Sequence, residues 1–332
     1  MRSFQLARAT DAGAALGLMR EGGSGTYWLA GGTTLLDLMK LDVMAPAAMV
    51  DIRAVEREHG QIEAGPAGLR LGALVRMADA AAHEAVLRDY PVIGETLQQA
   101  ASAQLRNMAT LGGNVLQRTR CGYFRDTGVS ACNKREPGSG CAAIGGVNRL
   151  LAVLGTSEHC IASYPGDFAV ALAALDARVE LLNVDGVRRD IAFTELHRRP
   201  GDTPHLETTL QPGEMITTLH VPAGSWTRRS RYVKVRDRTS YAFAVASAAV
   251  ALSISSDGVV TQARIGLGGV ATAPWRSSAA EAVVQGAVLT EAVAAEAAQA
   301  AFADAVTHGE NEFKPELGRR TLVRALLETA EI

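Results

Sequence analysis

The spacing of apolar and polar positions changes several times along this chain, and each change predicts an element. Phe4-Gln5-Leu6 reads as a short strand, and Thr10-Asp11 is an N-cap candidate before a helical run from Ala12 to Arg20. A turn at Gly22-Gly23-Ser24-Gly25 leads into Thr26-Tyr27-Trp28-Leu29, a buried strand by composition. Ala30-Gly31-Gly32-Thr33-Thr34 follows directly, and then a helical pattern from Leu35 to Leu41. Strand, glycine turn and helix is a layout in which backbone N–H groups can face an anion. A glycine turn before a helix is also common without any ligand. Neither G-x-G-x-x-G nor G-x-x-x-x-G-K-[ST] is present, which removes the dinucleotide and P-loop fingerprints.

Residues 46–72 alternate short strands and turns, helical patterns follow near Ala78 to Leu87 and from Pro91 through Asn107, and a second glycine turn spans Met108 to Val115. Two such turns, far apart in sequence, could form two walls of one phosphate-binding cleft. Ile161 to Ser163 reads as a strand, and Tyr164-Pro165-Gly166-Asp167 as a turn whose aspartate caps the helix beginning at Phe168. A hairpin turned at Asp185-Gly186, a polar proline-rich connection over 198–213 and a strand from Met215 complete the first part. Pro222 to Thr227 reads as a domain boundary. Beyond it, strands at Arg231 to Val235, Ala244 to Ile254 and from Val259 predict a small antiparallel sheet, and helical segments near 277–285, 290–307 and 315–330 follow. Strands followed by helices make this part α+β.

Length changes this picture little: 332 residues bury roughly three quarters of their unfolded surface and usually divide into two or more domains. With 48% hydrophobic but only 5% aromatic residues, packing is expected to rest on small side chains. A net charge of −2 gives no general attraction to nucleic acid or to acidic membranes. No apolar run is long enough to span a bilayer, and Met1 to Thr10 shows no apolar signal-peptide core. Synthesis and folding in the cytosol are expected, where disulfides are disfavoured. Export with a signal-bearing partner stays open.

The chemistry concentrates in one place. All four cysteines, Cys121, Cys132, Cys141 and Cys160, fall in a single segment rich in Gly, Asn, Asp and Pro, with spacing C-x10-C-x8-C-x18-C. A cubane iron–sulfur cluster takes four thiolates from a backbone free to wrap it, so the number fits. The C-x2-C pairs of zinc ribbons and bacterial ferredoxins are missing, and unrelated thiols or disulfides remain readings of the same spacing. Arg118, Arg120, Arg125, Lys134 and Arg135 surround the first two thiols and would lower their pKa values. His159 is a weaker candidate ligand. No acid/base or nucleophile constellation is visible.

Three stretches, L-A-G-G-T-T-L-L-D-L-M-K, A-S-A-Q-L-R-N-M-A-T-L-G-G-N and K-V-R-D-R-T-S-Y-A-F-A, occur in the order seen in the FAD-binding medium subunits of the xanthine dehydrogenase and molybdenum hydroxylase family, which the chain resembles end to end. The cysteine segment, with N-K-R-E-P-G-S-G-C-A-A, is similar to the flavin subunits of bacterial periplasmic aldehyde oxidoreductases that carry an extra 4Fe-4S cluster. The resemblance implies an FAD-binding domain of the vanillyl-alcohol-oxidase (PCMH) type with two subdomains over 1–221, a cluster loop inserted at 118–160, and a C-terminal α+β flavoprotein domain over 227–332. It implies that Leu29, Ala30, Gly31, Gly32, Thr33, Thr34 and Leu35 wrap the FAD pyrophosphate, and that Ser102, Arg106, Asn107, Thr110, Gly112, Gly113 and Asn114 form the second wall. Asp167 falls at an acidic flavin-side position, and Lys234 at a lysine that approaches the flavin ring, where a cation would stabilise the reduced anion. Cys121, Cys132, Cys141 and Cys160 fall at the cluster positions. Tyr241 stands where NAD-using relatives carry an acidic residue, which points away from NAD as acceptor.

The function so implied is electron transfer. Aldehyde and water become a carboxylic acid at a molybdenum cofactor in a large partner subunit, and electrons cross 2Fe-2S clusters of a small partner to FAD here and then to an external acceptor. A flavin subunit like that of 4-hydroxybenzoyl-CoA reductase, and a non-redox FAD- or zinc-binding structural subunit, are the rival readings.

Overall fold

The computed structural model describes residues 1–332. Three sheets organise them. The first is parallel: β1 (Gln5–Arg8) and β2 (Thr26–Leu29) flank β3 (Ala48–Asp51), with the helix Ala12–Gly22 between the first two strands. Asp11 caps that helix as expected, its Oδ1 accepting from Ala14 N at 2.8 Å.

The second sheet is antiparallel and runs in the order β4 (Ile62–Gly65), β5 (Gly68–Gly72), β8 (Met215–Pro222), β6 (Arg178–Leu182), β7 (Arg188–Ala192). Its hairpin turns at Asp185-Gly186, where Gly186 takes φ 79°. Residues 78–107 are less regular than their apolar spacing predicts. The first part divides into helices Met77–Ala82 and Glu84–Asp89, and the second breaks after Pro91–Gln99. Ala101 at φ 51° reverses the chain there before the short helix Ala103–Arg106.

The third sheet is the expected antiparallel one: β9 (Ser230–Val235), β10 (Ala246–Ile254), β11 (Val260–Gly268) and β12 (Trp275–Arg276), covered by helices Ser278–Val284, Glu291–Ala301 and Lys314–Ala330. Helix Asp167–Ala174 lies between the second and third sheets, and all eight of its residues are buried. A helix apolar on every side belongs in the middle of a core. Gly266 lets β11 come close to it, since a Cβ there would stand 2.5 Å from Val170 O.

Two expectations need correction. Asp167 does not cap its helix: Gly166 is the N-cap residue and Asp167 is the first helical residue, with its carboxylate turned to the third sheet. Ile161 to Ser163 forms no strand. The end of the cysteine segment packs with the C-terminal region in space: Val153 and Leu154 are part of that core, and both of their N–H groups donate to Val270 O.

Candidate functional site: two glycine turns and a ring of thiols

The two glycine turns meet. Gly31 lies so close to the second turn that a Cβ on it would stand 2.0 Å from Met108 O, so only glycine permits this approach. Gly32, at φ 74°, turns the chain away into helix Leu35–Lys40. Thr110 caps the second turn by accepting from Gly113 N at 3.3 Å. Between the turns opens a cavity of about 780 Å³, ample for a large cofactor. Leu29 through Leu35 all line it, as do Thr110, Gly112 and Gly113.

The other residues assigned to the second wall lie elsewhere. Ser102 caps the next helical turn through Leu105 N, and Arg106 donates to Ala100 O at 2.8 Å. Asn107 accepts from Arg76 through its backbone carbonyl and shares a separate shallow groove with Arg106. Asn114 does not line the cavity, and its Oδ1 is buried without a partner.

Sequence reading missed a third wall, formed by Gln211 to Ile216 and by Gly23 to Thr26. Trp28 Nε1, in the strand that begins at Thr26, donates to Glu214 O at 3.1 Å and ties that strand to the Gln211–Ile216 segment. The Gln211-Pro212-Gly213 turn had been visible only as a connection. Thr26 Oγ1 is buried against Gly22 and turned away from the cavity. The residues present fit a bound FAD through a roomy cavity and two turns whose main chains approach closely.

Asp167 and Lys234 do not line this cavity. Lys234 Nζ donates to Asp167 Oδ2 at 2.7 Å and to Gln99 O at 3.0 Å, and Tyr232 Oη donates to Asp167 Oδ1 at 2.5 Å. The side chains of the pair are 0% and 5% exposed. Burial pushes the Asp167 carboxyl up, while the charge and hydrogen bond of Lys234 draw it back. The trio ties β9 to helix Asp167–Ala174 across the two domains.

The four cysteines come together. Cys121, Cys132, Cys141 and Cys160 line one narrow cavity of about 10 Å³, and none is in a disulfide. Cys132 and Cys141 face each other across an isolated antiparallel bridge. No three potential ligands stand close enough to hold a single metal ion. The cavity is also smaller than a cubane cluster.

The surrounding cations do not act as expected. Arg120 and Arg125 bind Asp37, and Arg118 binds Glu207 at 2.6 Å. With their charges engaged, burial dominates and raises the Cys121 thiol, and raises Cys160 to about 11 despite the opposing charge of Lys134. His159 faces Asp202 at 3.5 Å, while its backbone carbonyl accepts from Asn133. Tyr241 is 57% exposed at φ 50°, with Arg238 over its ring.

The family description "FAD binding domain in molybdopterin dehydrogenase" matches residues 2–224, and "CO dehydrogenase flavoprotein C-terminal domain" matches 231–329. The chain belongs to the FAD-binding medium subunits of the molybdenum hydroxylase family. It is 48% identical to the aldehyde oxidoreductase FAD-binding subunit PaoB of Escherichia coli (strain K12), covering 99% of this chain and 98% of the relative. It is 27% identical to the carbon monoxide dehydrogenase medium chain of Afipia carboxidovorans, over 98% and 96%. Among solved structures, carbon monoxide dehydrogenase from Hydrogenophaga pseudoflava superposes with a TM-score of 0.76 at 25% identity, over 99% and 98% of the two chains. The α+β architecture expected from the resemblance, an FAD-binding domain followed by a C-terminal sheet and helices, is the one observed. No helix is long and apolar enough to cross a membrane.

Proposed function

We propose that this chain is the electron-transfer subunit of an aldehyde-oxidising molybdenum hydroxylase, holding FAD between its two glycine turns and a 4Fe-4S cluster on Cys121, Cys132, Cys141 and Cys160. The observation that carries the reading is the 48% identity to an aldehyde oxidoreductase FAD-binding subunit over nearly the whole of both chains. Bound FAD supplies a carrier that takes up electrons and releases them to an acceptor other than NAD. The chain's own residues bind and orient it. Main-chain groups of Gly31 to Thr34 and of the Thr110 to Gly113 turn would hold the phosphate side, and glycine at 31 lets the two turns approach each other closely enough to form that site. Lys234, fully neutralised by Asp167, acts by fixing the C-terminal domain against the FAD domain. The electrons originate in a large subunit that carries the molybdenum cofactor and oxidises aldehyde with water to carboxylic acid, and they arrive through 2Fe-2S clusters of a small subunit. No residue here supplies acid/base catalysis.

The test is the anaerobic absorption spectrum of the purified chain before and after dithionite. Flavin bands together with a broad shoulder that bleaches on reduction, and that disappears in Cys132→Ser, are expected. Flavin bands alone would contradict the cluster assignment.

A further inference from the structure

Helix Leu35–Lys40 serves two regions at once. Leu35 lines the large cavity, directly after the glycine turn. Leu38, 1% exposed, packs in one core with Cys121, Phe124, Cys132 and Cys160. Between them, Asp37 reaches the cysteine segment: its carboxylate accepts from Arg125 Nη1 and Nη2 at 2.9 and 3.0 Å and from Arg120 Nη1 at 2.9 Å. Arg120 immediately precedes Cys121, and its guanidinium lies 5.0 Å over the Phe243 ring. All three charged side chains are partly buried, at 35, 30 and 23% exposure for Asp37, Arg120 and Arg125. Burial opposes the charge on Asp37, yet the two guanidiniums hold its carboxyl below the usual range.

The helix has only six residues, and its N-cap residue Thr34 makes no side-chain cap bond. So short a helix has little stability of its own, and its orientation is set by what it is tied to. Its ties are the buried side chains of Leu38 and Met39, the backbone bonds from Val43 and Met44 to Leu38 O, and the two arginines, which are its charged link to the cysteine segment.

We propose that Asp37 is a positioning residue through which the cysteine segment orients the phosphate side of the FAD pocket, so that order in the segment and FAD affinity are coupled. The proposal rests on the FAD and cluster readings above. A coupling of this kind is typically worth about 5- to 150-fold in affinity. Asp37 touches neither cofactor site directly, so its effect is expected on FAD affinity and not on flavin chemistry.

The experiment titrates FAD into the FAD-depleted full chain. Asp37→Asn is expected to weaken binding about tenfold, and Asp37→Glu, which restores a carboxylate to both guanidiniums, to recover most of the loss. Arg125→Gln should reproduce it. Cys132→Ser, which disorganises the segment, should weaken FAD binding as well. In the double variant Asp37→Asn/Cys132→Ser the losses should not multiply, because one removes the route by which the other acts. Melting of each variant by circular dichroism separates a lost latch from a lost fold. FAD affinity in Asp37→Asn within about twofold of the parent, or multiplying losses, overturns the proposal. A parent chain that binds FAD but contains no iron refutes the cluster reading only, and the latch is then decided by Asp37→Asn and Arg125→Gln. A folded parent chain that binds no FAD refutes the FAD reading and the latch with it.

Discussion

The glycine-turn pocket and the cysteine segment are neighbours built on opposite plans. The pocket is shaped by two glycine turns that meet main chain to main chain and encloses about 780 Å³, while Lys234 and Asp167, a buried pair outside it, tie the FAD domain to the C-terminal one. The cysteine segment encloses about 10 Å³, and side chains hold it: Arg118 and Lys134 on Glu207, Arg120 and Arg125 on Asp37. Its ion pairs are about a quarter to a third exposed. A main-chain pocket depends on glycines and on a rigid support. A side-chain scaffold depends on many weak ties, no one of which dominates.

The sharpest contrast comes from deleting one charge in each region. Lys234→Ala leaves Asp167 buried and unpaired, and should lower stability by about 3–5 kcal/mol in chemical unfolding. If the loss were below about 1 kcal/mol, the buried brace would not be the support inferred for it. His197 gives an effect of intermediate size. It is buried between Tyr164 and Phe193, its Nε2 bonded to Val115 O at 2.8 Å, just beyond the second glycine turn. Burial lowers its pKa from 6.5 to about 4, so it stays neutral when folded while the unfolded chain takes up a proton below pH 6.5. Stability is therefore lost as pH falls through that window, by about 2 kcal/mol between about pH 7 and about pH 5. His197→Gln should remove this slope, and an unchanged slope would assign it to other groups. The smallest effect belongs to the cysteine segment: Glu207→Gln should cost about 1 kcal/mol or less, since the pair it weakens is about a quarter exposed and partly screened by solvent.

What the sequence discloses follows the same division. The glycine turns, the Asp185-Gly186 hairpin and the antiparallel C-terminal sheet are local patterns, and all stand where the spacing placed them. Contacts made at long range left no such trace. Asp167 looked like a cap because Gly166 and Asp167 precede a helix, whereas its partners, Tyr232 and Lys234, come from the other domain. Arginines near thiols looked like thiolate stabilisers because their carboxylates, Asp37 and Glu207, are remote in sequence. Ser102 and Arg106 lie near the second turn in the chain, but after the reversal at Ala101 they hold the backbone of residues 100–106 instead, Ser102 through Leu105 N and Arg106 through Ala100 O. The wall from Gln211 to Ile216 read as a turn running into the start of a strand, which signals a bend without saying what it faces.

The measurement closest to the central claim is an FAD titration of the full chain beside its Gly31→Ala variant. One FAD per chain is expected for the parent. In the variant the added methyl would stand 2.0 Å from Met108 O, forcing the two turns apart. A loss of at least about 100-fold in affinity, roughly 2.7 kcal/mol, is predicted with the fold retained. Undiminished FAD binding by a folded Gly31→Ala chain would contradict the placement of the cofactor between the two glycine turns.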